Sequence, residues 1–122
     1  MYTKLGDMES RFADLIWRYE PLPSGELAKL AEAEFSWKRT TTYTMLKRLC
    51  DRGIFENCGG VVSAVMSRDE FYAARGEAVV REGFGGSLPK FLAAFADSGR
   101  LKEEEIEELR ALIDNYTKKK EG

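Results

Sequence analysis

The chain of 122 residues has no histidine, and it contains only two cysteines and three prolines. Without histidine, Ser–His and Cys–His catalysis and every histidine-ligated metal site are excluded. A structural zinc site usually takes four Cys or His ligands, and two cysteines cannot supply them. The Glu-rich stretch 103–108 is typical of a solvated helix face rather than of a converging acid/base pair. We therefore expect a protein that is not an enzyme and that binds no metal or cofactor.

The number of cysteines and the lack of long apolar runs both indicate in which cellular compartment the protein is expected. No run approaches the ~18 apolar residues that would span a bilayer. Residues 1–7 lack the apolar region of a secretory signal. We expect a cytoplasmic protein without membrane insertion. Because disulfides are rare in the cytosol, Cys50 and Cys58 are interpreted as reduced packing residues, with redox sensing as the alternative.

The charge is nearly balanced overall but unevenly distributed. The chain carries 19 basic and 21 acidic side chains, a formal charge of -2, and the halves 1–72 and 73–122 are each slightly acidic. Residues 37–52 hold five basic side chains and one acidic side chain. A positive stripe on an acidic body is typical of an electrostatic footprint for nucleic acid. The alternative is an exposed helix face that is only solvated.

Hydrophobic periodicity predicts three helices in the first half. Apolar residues recur at helical spacing from Met8 to Tyr19, and the first helix ends before the prolines at 21 and 23. A second helix is predicted from Ser24, as its N-cap, to about residue 35. The third runs to about residue 52, with Gly53 as its C-terminal stop. Trp17 lies opposite the apolar stripe of the first helix, so we expect another element to cover it.

The next segment changes character. Two β-favouring runs, 54–58 and 61–66, flank Gly59-Gly60 and predict a hairpin. Three helices followed by a hairpin is the order of a winged helix, in which the third helix enters the major groove. The predicted fold class is therefore mainly α with a small β-hairpin wing. A winged helix-turn-helix DNA-binding domain is placed at residues 1–72.

Residues 73–122 are predicted to form a helical dimerisation region. One helix is expected around residues 71–82, a second after Ser87 as its cap, and a third over about 102–116. The last two are too short to bury their apolar faces in a core of their own, which favours a two-fold dimer. The alternative is that they fold back onto the winged helix. The predicted interface comprises Leu88, Phe91, Leu92, Phe95, Ile106, Leu109, Leu112, Ile113 and Tyr116.

The third helix has two different faces. At 100° per residue, Thr42, Met45, Leu46 and Leu49 fall in one sector, which we expect to face the core. Cations on the other side can neutralise phosphates, and Thr or Tyr side chains can reach base edges or thymine methyl groups. The predicted DNA-binding residues are Lys38, Arg39, Thr40, Thr41, Tyr43, Thr44, Lys47 and Arg48.

Several segments, in order, resemble the penicillinase-repressor family of bacterial regulators, the BlaI/MecI/CopY group. They are Leu15-Ile16-Trp17 with Pro21, the run 40–49 followed by Arg52-Gly53, the stretch 85–95, and the acidic run 103–110. The resemblance implies a homodimeric transcriptional repressor that binds a dyad-symmetric double-stranded operator. A winged-helix module for protein–protein contacts, without sequence-specific DNA binding, is the alternative.

The same resemblance implies a means of induction. In the family, a membrane-bound sensor protease often cuts the repressor in its dimerisation region, and the matching bond here is Ala94–Phe95. The family's cut site is best known with Asn before Phe, where this chain has Ala94. Family wings often carry Lys or Arg near the tip, whereas residues 57–63 have neither. The C-terminal cysteine cluster of the copper-responsive branch is likewise missing from residues 117–122.

Overall fold

The computed structural model describes residues 4–121. Those residues form mainly helices with one three-stranded antiparallel sheet, which confirms the predicted fold class. The elements are α1 (Asp7–Tyr19), β1 (Leu22–Pro23), α2 (Ser24–Phe35), α3 (Arg39–Asp51), β2 (Phe55–Cys58), β3 (Val61–Ala64), α4 (Arg68–Phe84), α5 (Leu88–Asp97) and α6 (Glu103–Glu121). The chain divides into two units, one up to Ala78 and one from Val79, so the division falls within α4.

The helix ends of the first unit follow local chemistry. At the start of α1, the Gly6 amide donates to Glu9 Oε1 at 3.1 Å, one half of a capping box. Ser24 is the first residue of α2, and Pro23 occupies the N-cap position where Ser24 was predicted. After α3, Gly53 adopts a φ of 79°, the left-handed conformation that ends helices at low steric cost for glycine. The predicted stop is therefore confirmed.

The sheet is built on the predicted hairpin. Gly59 and Gly60 have φ values of 60° and 87°, as a two-residue type I′ turn requires, and β2 pairs with β3 on either side. The sequence did not predict β1, in which Leu22 pairs with Val62. The Ser24 amide also donates to Gly60 O at 2.8 Å. The wing turn is therefore tied to the start of α2.

One hydrophobic core joins the helices of the first unit to its sheet. Trp17 lies at its edge, where Nε1 donates to Met66 O at 3.0 Å and the ring packs 5.1 Å from Phe55 and 5.9 Å from Phe71. The expectation that another element covers Trp17 is thus confirmed. The largest fully buried side chains are Phe12, Ile16, Thr42, Leu27, Leu49, Ile54, Phe55, Val62 and Phe71.

In the second unit, α5 begins as the sequence predicts. Ser87 Oγ accepts a hydrogen bond from the Lys90 amide at 3.2 Å and caps the helix. The Phe91 ring packs 4.8 Å from that of Phe95. Helix α6 extends to Glu121, beyond the expected end near residue 116. No described side chain of α5 or α6 is fully buried. No helix in the described part of the chain is long and apolar enough to cross a membrane.

Candidate nucleic-acid interface

Helix α3 is held by its buried side. Thr42, Leu46 and Leu49 are buried, and Met45 packs against the core while remaining partly exposed. The Thr42 hydroxyl donates to Lys38 O at 3.4 Å, which satisfies a polar group that would otherwise be costly to bury. The predicted core face of this helix is confirmed, and its orientation is thereby fixed.

The N-cap and most of the other residues of α3 face solvent. Tyr43 projects from the middle of the helix with 38% of its surface exposed. The structure brings all the predicted DNA-binding residues together on this exposed surface: Lys38, Arg39, Thr40, Thr41, Tyr43, Thr44, Lys47 and Arg48. Their solvent exposure is what a groove-reading surface needs. Contact with DNA stays a prediction.

The first turn of α3 is suited to a phosphate. The first helical hydrogen bond runs from the Thr42 amide to Lys38 O at 3.1 Å. Within residues 4–121 no side chain caps this end of the helix. The preceding amide groups can therefore donate to an anion, and the helix dipole favours negative charge there. Lys38 and Arg39 add two exposed cations, neither of which has an ion-pair partner in the described region.

In the last turns of α3, Lys47 and Arg48 have different side-chain partners. Lys47 Nζ lies 3.0 Å from Asp51 Oδ2, and both side chains are well exposed. Sequence reasoning missed this ion pair, although the i, i+4 spacing was a signal for it. The Arg48 guanidinium instead lies 3.8 Å from Met45 Sδ. Among the described residues, Arg48 has no carboxylate partner.

A shallow groove lies on the exposed surface of α3. Its volume is about 280 Å³. The Thr44 hydroxyl turns back and donates to Thr40 O at 2.8 Å. Sequence reasoning counted Met45 with the core, whereas the structure places it at the edge, where it lines the groove. The lining residues are Thr40, Thr41, Thr44, Met45 and Arg48, and we call this feature the α3 groove.

The wing carries no cation at its tip and exposes one thiol. Cys58 is exposed at the end of β2, so its interpretation as a packing residue is wrong. Cys58 is exposed because it is the last residue of β2 and lies next to the solvated Gly59-Gly60 turn. Cys50 packs against the core at the end of α3. Burial raises the pKa of the Cys50 thiol, and the charges of Asp51 and Glu56 raise it further. Both cysteines are free thiols.

The second unit leaves five of the nine residues predicted for a dimer interface exposed and the other four half-buried. Leu112, Ile113 and Tyr116 of α6 are each more than half exposed. A groove of about 420 Å³ runs between α5 and α6 and is lined by Phe91, Leu92, Phe95, Leu101, Glu105, Glu108, Leu109 and Leu112. Ala94 and Phe95 lie in the last turns of α5, and both are exposed.

Among residues 4–121, no group of three or more His, Cys, Asp or Glu side chains could hold a metal ion. What the structure does present is a winged helix whose third helix exposes hydroxyls, an aromatic ring and several cations. That arrangement defines the class of winged-helix DNA-binding regulators.

Comparison with known proteins identifies the family. A family model described as "Penicillinase repressor" matches residues 5–115. A relative named "Penicillinase repressor", from Bacillus licheniformis, is 22% identical over 121 residues, which cover 96% of this chain and 94% of the relative. The chain therefore belongs to the penicillinase repressor family, as its resemblance implied. This is a family of DNA-binding transcription regulators, not of enzymes.

Proposed function

We propose that this chain represses transcription by binding a dyad-symmetric operator as a homodimer, with α3 of each protomer in the major groove. The observation that carries the proposal is the exposure of all eight candidate residues on one surface of α3. In this proposal the exposed cations Lys38, Arg39 and Arg48 contact phosphates, while Tyr43 and the three exposed threonines contact base edges. The strands of the wing carry Glu56 and no cation, which leaves most of the electrostatic attraction to α3.

Selection on a randomised duplex library, at two salt concentrations, tests this function. We expect an enriched inverted repeat, whose half-site spacing reports the geometry of the dimer. Binding with a steep salt dependence and no enriched sequence would indicate a non-specific electrostatic binder. No binding at either salt concentration would favour a winged helix that docks on another protein.

The proposed dimer forms through the second unit. Its support is the apolar surface left exposed on α5 and α6, of a kind that soluble proteins usually cover in an interface. The charges of α6 indicate an arrangement: glutamates 103–105 open the helix and lysines 118–120 close it. Leu112 lies midway between the two runs. An antiparallel pair of α6 helices crossing at Leu112 would place the acidic start of each helix opposite the basic end of its partner.

We also propose that induction proceeds by cleavage of the Ala94–Phe95 bond by a membrane-bound sensor protease, with the repressor itself in the cytoplasm. The bond lies within α5 and both flanking side chains are exposed. A protease binds its substrate in an extended form, so the end of α5 has to unfold locally before cleavage. Cleavage would separate α6 from the DNA-binding unit.

A chain that ends at Ala94 tests the consequence of cleavage. It keeps the whole core of the first unit and lacks α6. We expect it to fold, to be monomeric by light scattering at micromolar concentration, and to bind the selected duplex much more weakly than the full chain. A truncated chain that remained dimeric and bound with full affinity would contradict this mode of induction.

A further inference from the structure

We propose that the α3 groove accepts the 5-methyl group of a thymine, so that each half-site of the operator contains a thymine read by apolar contact. This inference rests on the proposed function, because it requires α3 to enter the major groove. It goes further in naming the base and the chemical group that are recognised.

The lining of the groove favours an apolar group. Three threonine side chains and the partly exposed thioether of Met45 line it, with Arg48 as the one charged member. In the major groove, the methyl group of thymine is the only apolar group that a base presents. A volume of about 280 Å³ leaves room for a base edge that carries this methyl group.

The hydrogen bond of Thr44 decides what this side chain can offer to a base. Its hydroxyl proton is donated to Thr40 O at 2.8 Å, so the side chain has no donor left for acceptors such as guanine O6 or adenine N7. What remains towards the groove is the γ-methyl group and the acceptor capacity of the oxygen. The γ-methyl contact suits thymine, whereas acceptance by the oxygen would suit an amino group of adenine or cytosine.

Charges around the groove support a nucleic-acid occupant. Lys38 and Arg39 precede the groove along the chain, and Arg48 lines it. These cations can contact phosphates on either side of a base pair whose edge enters the groove. The same cations make the groove unsuitable for an apolar peptide or a free lipid tail.

The test removes one methyl group at a time from the DNA. In the duplex selected by the full-length protein, each thymine is replaced in turn by deoxyuridine, which differs only in lacking the 5-methyl group. We expect one thymine position in each half-site to be sensitive. A single replacement at that position should weaken binding about fourfold, the equivalent of ~0.8 kcal/mol for one buried methylene-sized group. Two protein variants separate the methyl group of Thr44 from its hydroxyl. Thr44→Val keeps a γ-methyl and loses the oxygen, and Thr44→Ser keeps the oxygen and loses the γ-methyl.

We expect Thr44→Val to bind the thymine duplex within about twofold of the natural protein and to remain sensitive to deoxyuridine. Thr44→Ser changes both protomers of the dimer, so it should lose about sixteenfold on the thymine duplex. It should lose little more on the duplex in which that thymine is replaced in both half-sites, because the two changes remove the same contacts. Position 44 is exposed, and Ser, Thr and Val have similar helix propensities, so both variants should fold. Circular dichroism checks this.

Two outcomes would overturn the inference, and they separate it from the proposed function. An enriched duplex that binds equally well with every thymine replaced would overturn the methyl contact and leave the repressor function standing. If Thr44→Val binds the thymine duplex weakly while Thr44→Ser keeps the affinity of the natural protein, the contact belongs to the oxygen and not to the methyl group. A library with no enriched sequence would refute the proposed function itself, and the methyl contact with it.

Discussion

Lys47 Nζ lies 3.0 Å from Asp51 Oδ2 on the exposed side of α3. The two residues are one helical turn apart, and both face the direction from which DNA would approach. Exposed pairs of this kind contribute only about 0.2–1 kcal/mol to stability. We expect a larger effect on DNA binding, since the carboxylate would compete with phosphate for Lys47 and repel the DNA backbone.

We therefore expect Asp51→Asn to strengthen operator binding. Releasing Lys47 for one additional phosphate contact in each protomer would steepen the dependence of log K on log salt by roughly 1.8 for the dimer, which corresponds to about thirtyfold in affinity at 0.15 M salt. Fluorescence anisotropy over a salt series measures both quantities. Glu32→Gln is the matched control, because it removes one exposed carboxylate from α2 and should leave the slope unchanged. An unaltered slope in Asp51→Asn would show that Lys47 contacts no phosphate.

Lys47 and Arg48 differ in a way that the same assay can detect. Arg48 lacks a carboxylate partner in the described part of the chain, whereas Lys47 is paired. Lys47→Ala and Arg48→Ala should each weaken binding to all sequences, and Arg48→Ala should do so more strongly. When each substitution is made in the Asp51→Asn background, Lys47→Ala should weaken binding at least as much as Arg48→Ala does.

Tyr43 is expected to contribute to sequence discrimination rather than to overall affinity. It projects from the middle of α3 and is 38% exposed, so its removal should cost little folding stability. Tyr43→Ala should relax the preference at particular base pairs by about 1–3 kcal/mol. Repeating the duplex selection with this variant measures the change. Tyr43→Phe, tested alongside, shows whether the hydroxyl or the ring is responsible, and an unchanged selected sequence would remove Tyr43 from the reading surface.

Features of the fold that depend on neighbouring residues could be predicted from the sequence. The hairpin follows from Gly59-Gly60, because both positions need a positive φ that glycine adopts at low cost. The face of α3 follows from helical periodicity. The strand β1 could not be predicted, because Leu22 pairs with Val62, which is distant in sequence, and a two-residue strand has no periodicity to detect.

The candidate site was predictable at the level of faces and not at the level of side-chain atoms. The sequence groups five of the eight candidate residues on one side of α3 and the other three at its first turn, and the structure leaves all eight exposed. The hydrogen bonds and contacts of the individual side chains depend on their rotamers. The bond from Thr44 to Thr40 O and the position of Met45 at the core edge depend on packing. These two details are what give the groove its apolar character.

The two thiols should react at different rates. Cys58 is exposed on the wing, while Cys50 packs against the core with a raised pKa caused by burial and by nearby carboxylates. At pH 8 we expect Cys58 to react first with a disulfide reagent and Cys50 more slowly, because the thiolate is the reactive form. The Cys58→Ser variant should lose the fast phase. Finding no free thiol in the native protein would contradict the reduced state of both cysteines.

The raised pKa of Cys50 also has a consequence for stability. The folded protein holds the neutral thiol more firmly than the unfolded chain does. This contribution to stability is therefore present at neutral pH and is lost as the pH rises from the ordinary thiol pKa through the raised pKa of Cys50. Cys50→Ser should therefore flatten the fall in stability above pH 8 relative to Cys58→Ser. Denaturant titrations of both variants at pH 7 and pH 9.5 check the direction, and an equal fall in the two variants would contradict it.

The antiparallel arrangement proposed for α6 makes Leu112 meet its own copy at the two-fold axis. Leu112 is about half exposed in one protomer, and a charge placed there would face an identical charge in an apolar interface. We expect Leu112→Glu to abolish the dimer at micromolar concentration by sedimentation equilibrium. Ala111→Glu is the matched control, since position 111 is turned about 100° from Leu112, outside the apolar stripe of α6, and should leave the dimer intact.

The same arrangement places Glu105 of one protomer opposite Lys119 of the other, because the two positions are equally far from Leu112. Lys119→Glu should then weaken the dimer by about tenfold through repulsion between like charges. Adding Glu105→Gln should restore part of the loss, since it removes the repulsion. Gln can also replace the Glu105 oxygen that accepts from the Lys102 amide at 3.1 Å. If Lys119→Glu dimerises as the natural chain does while Leu112→Glu does not, the interface is apolar but the helices do not cross in this register.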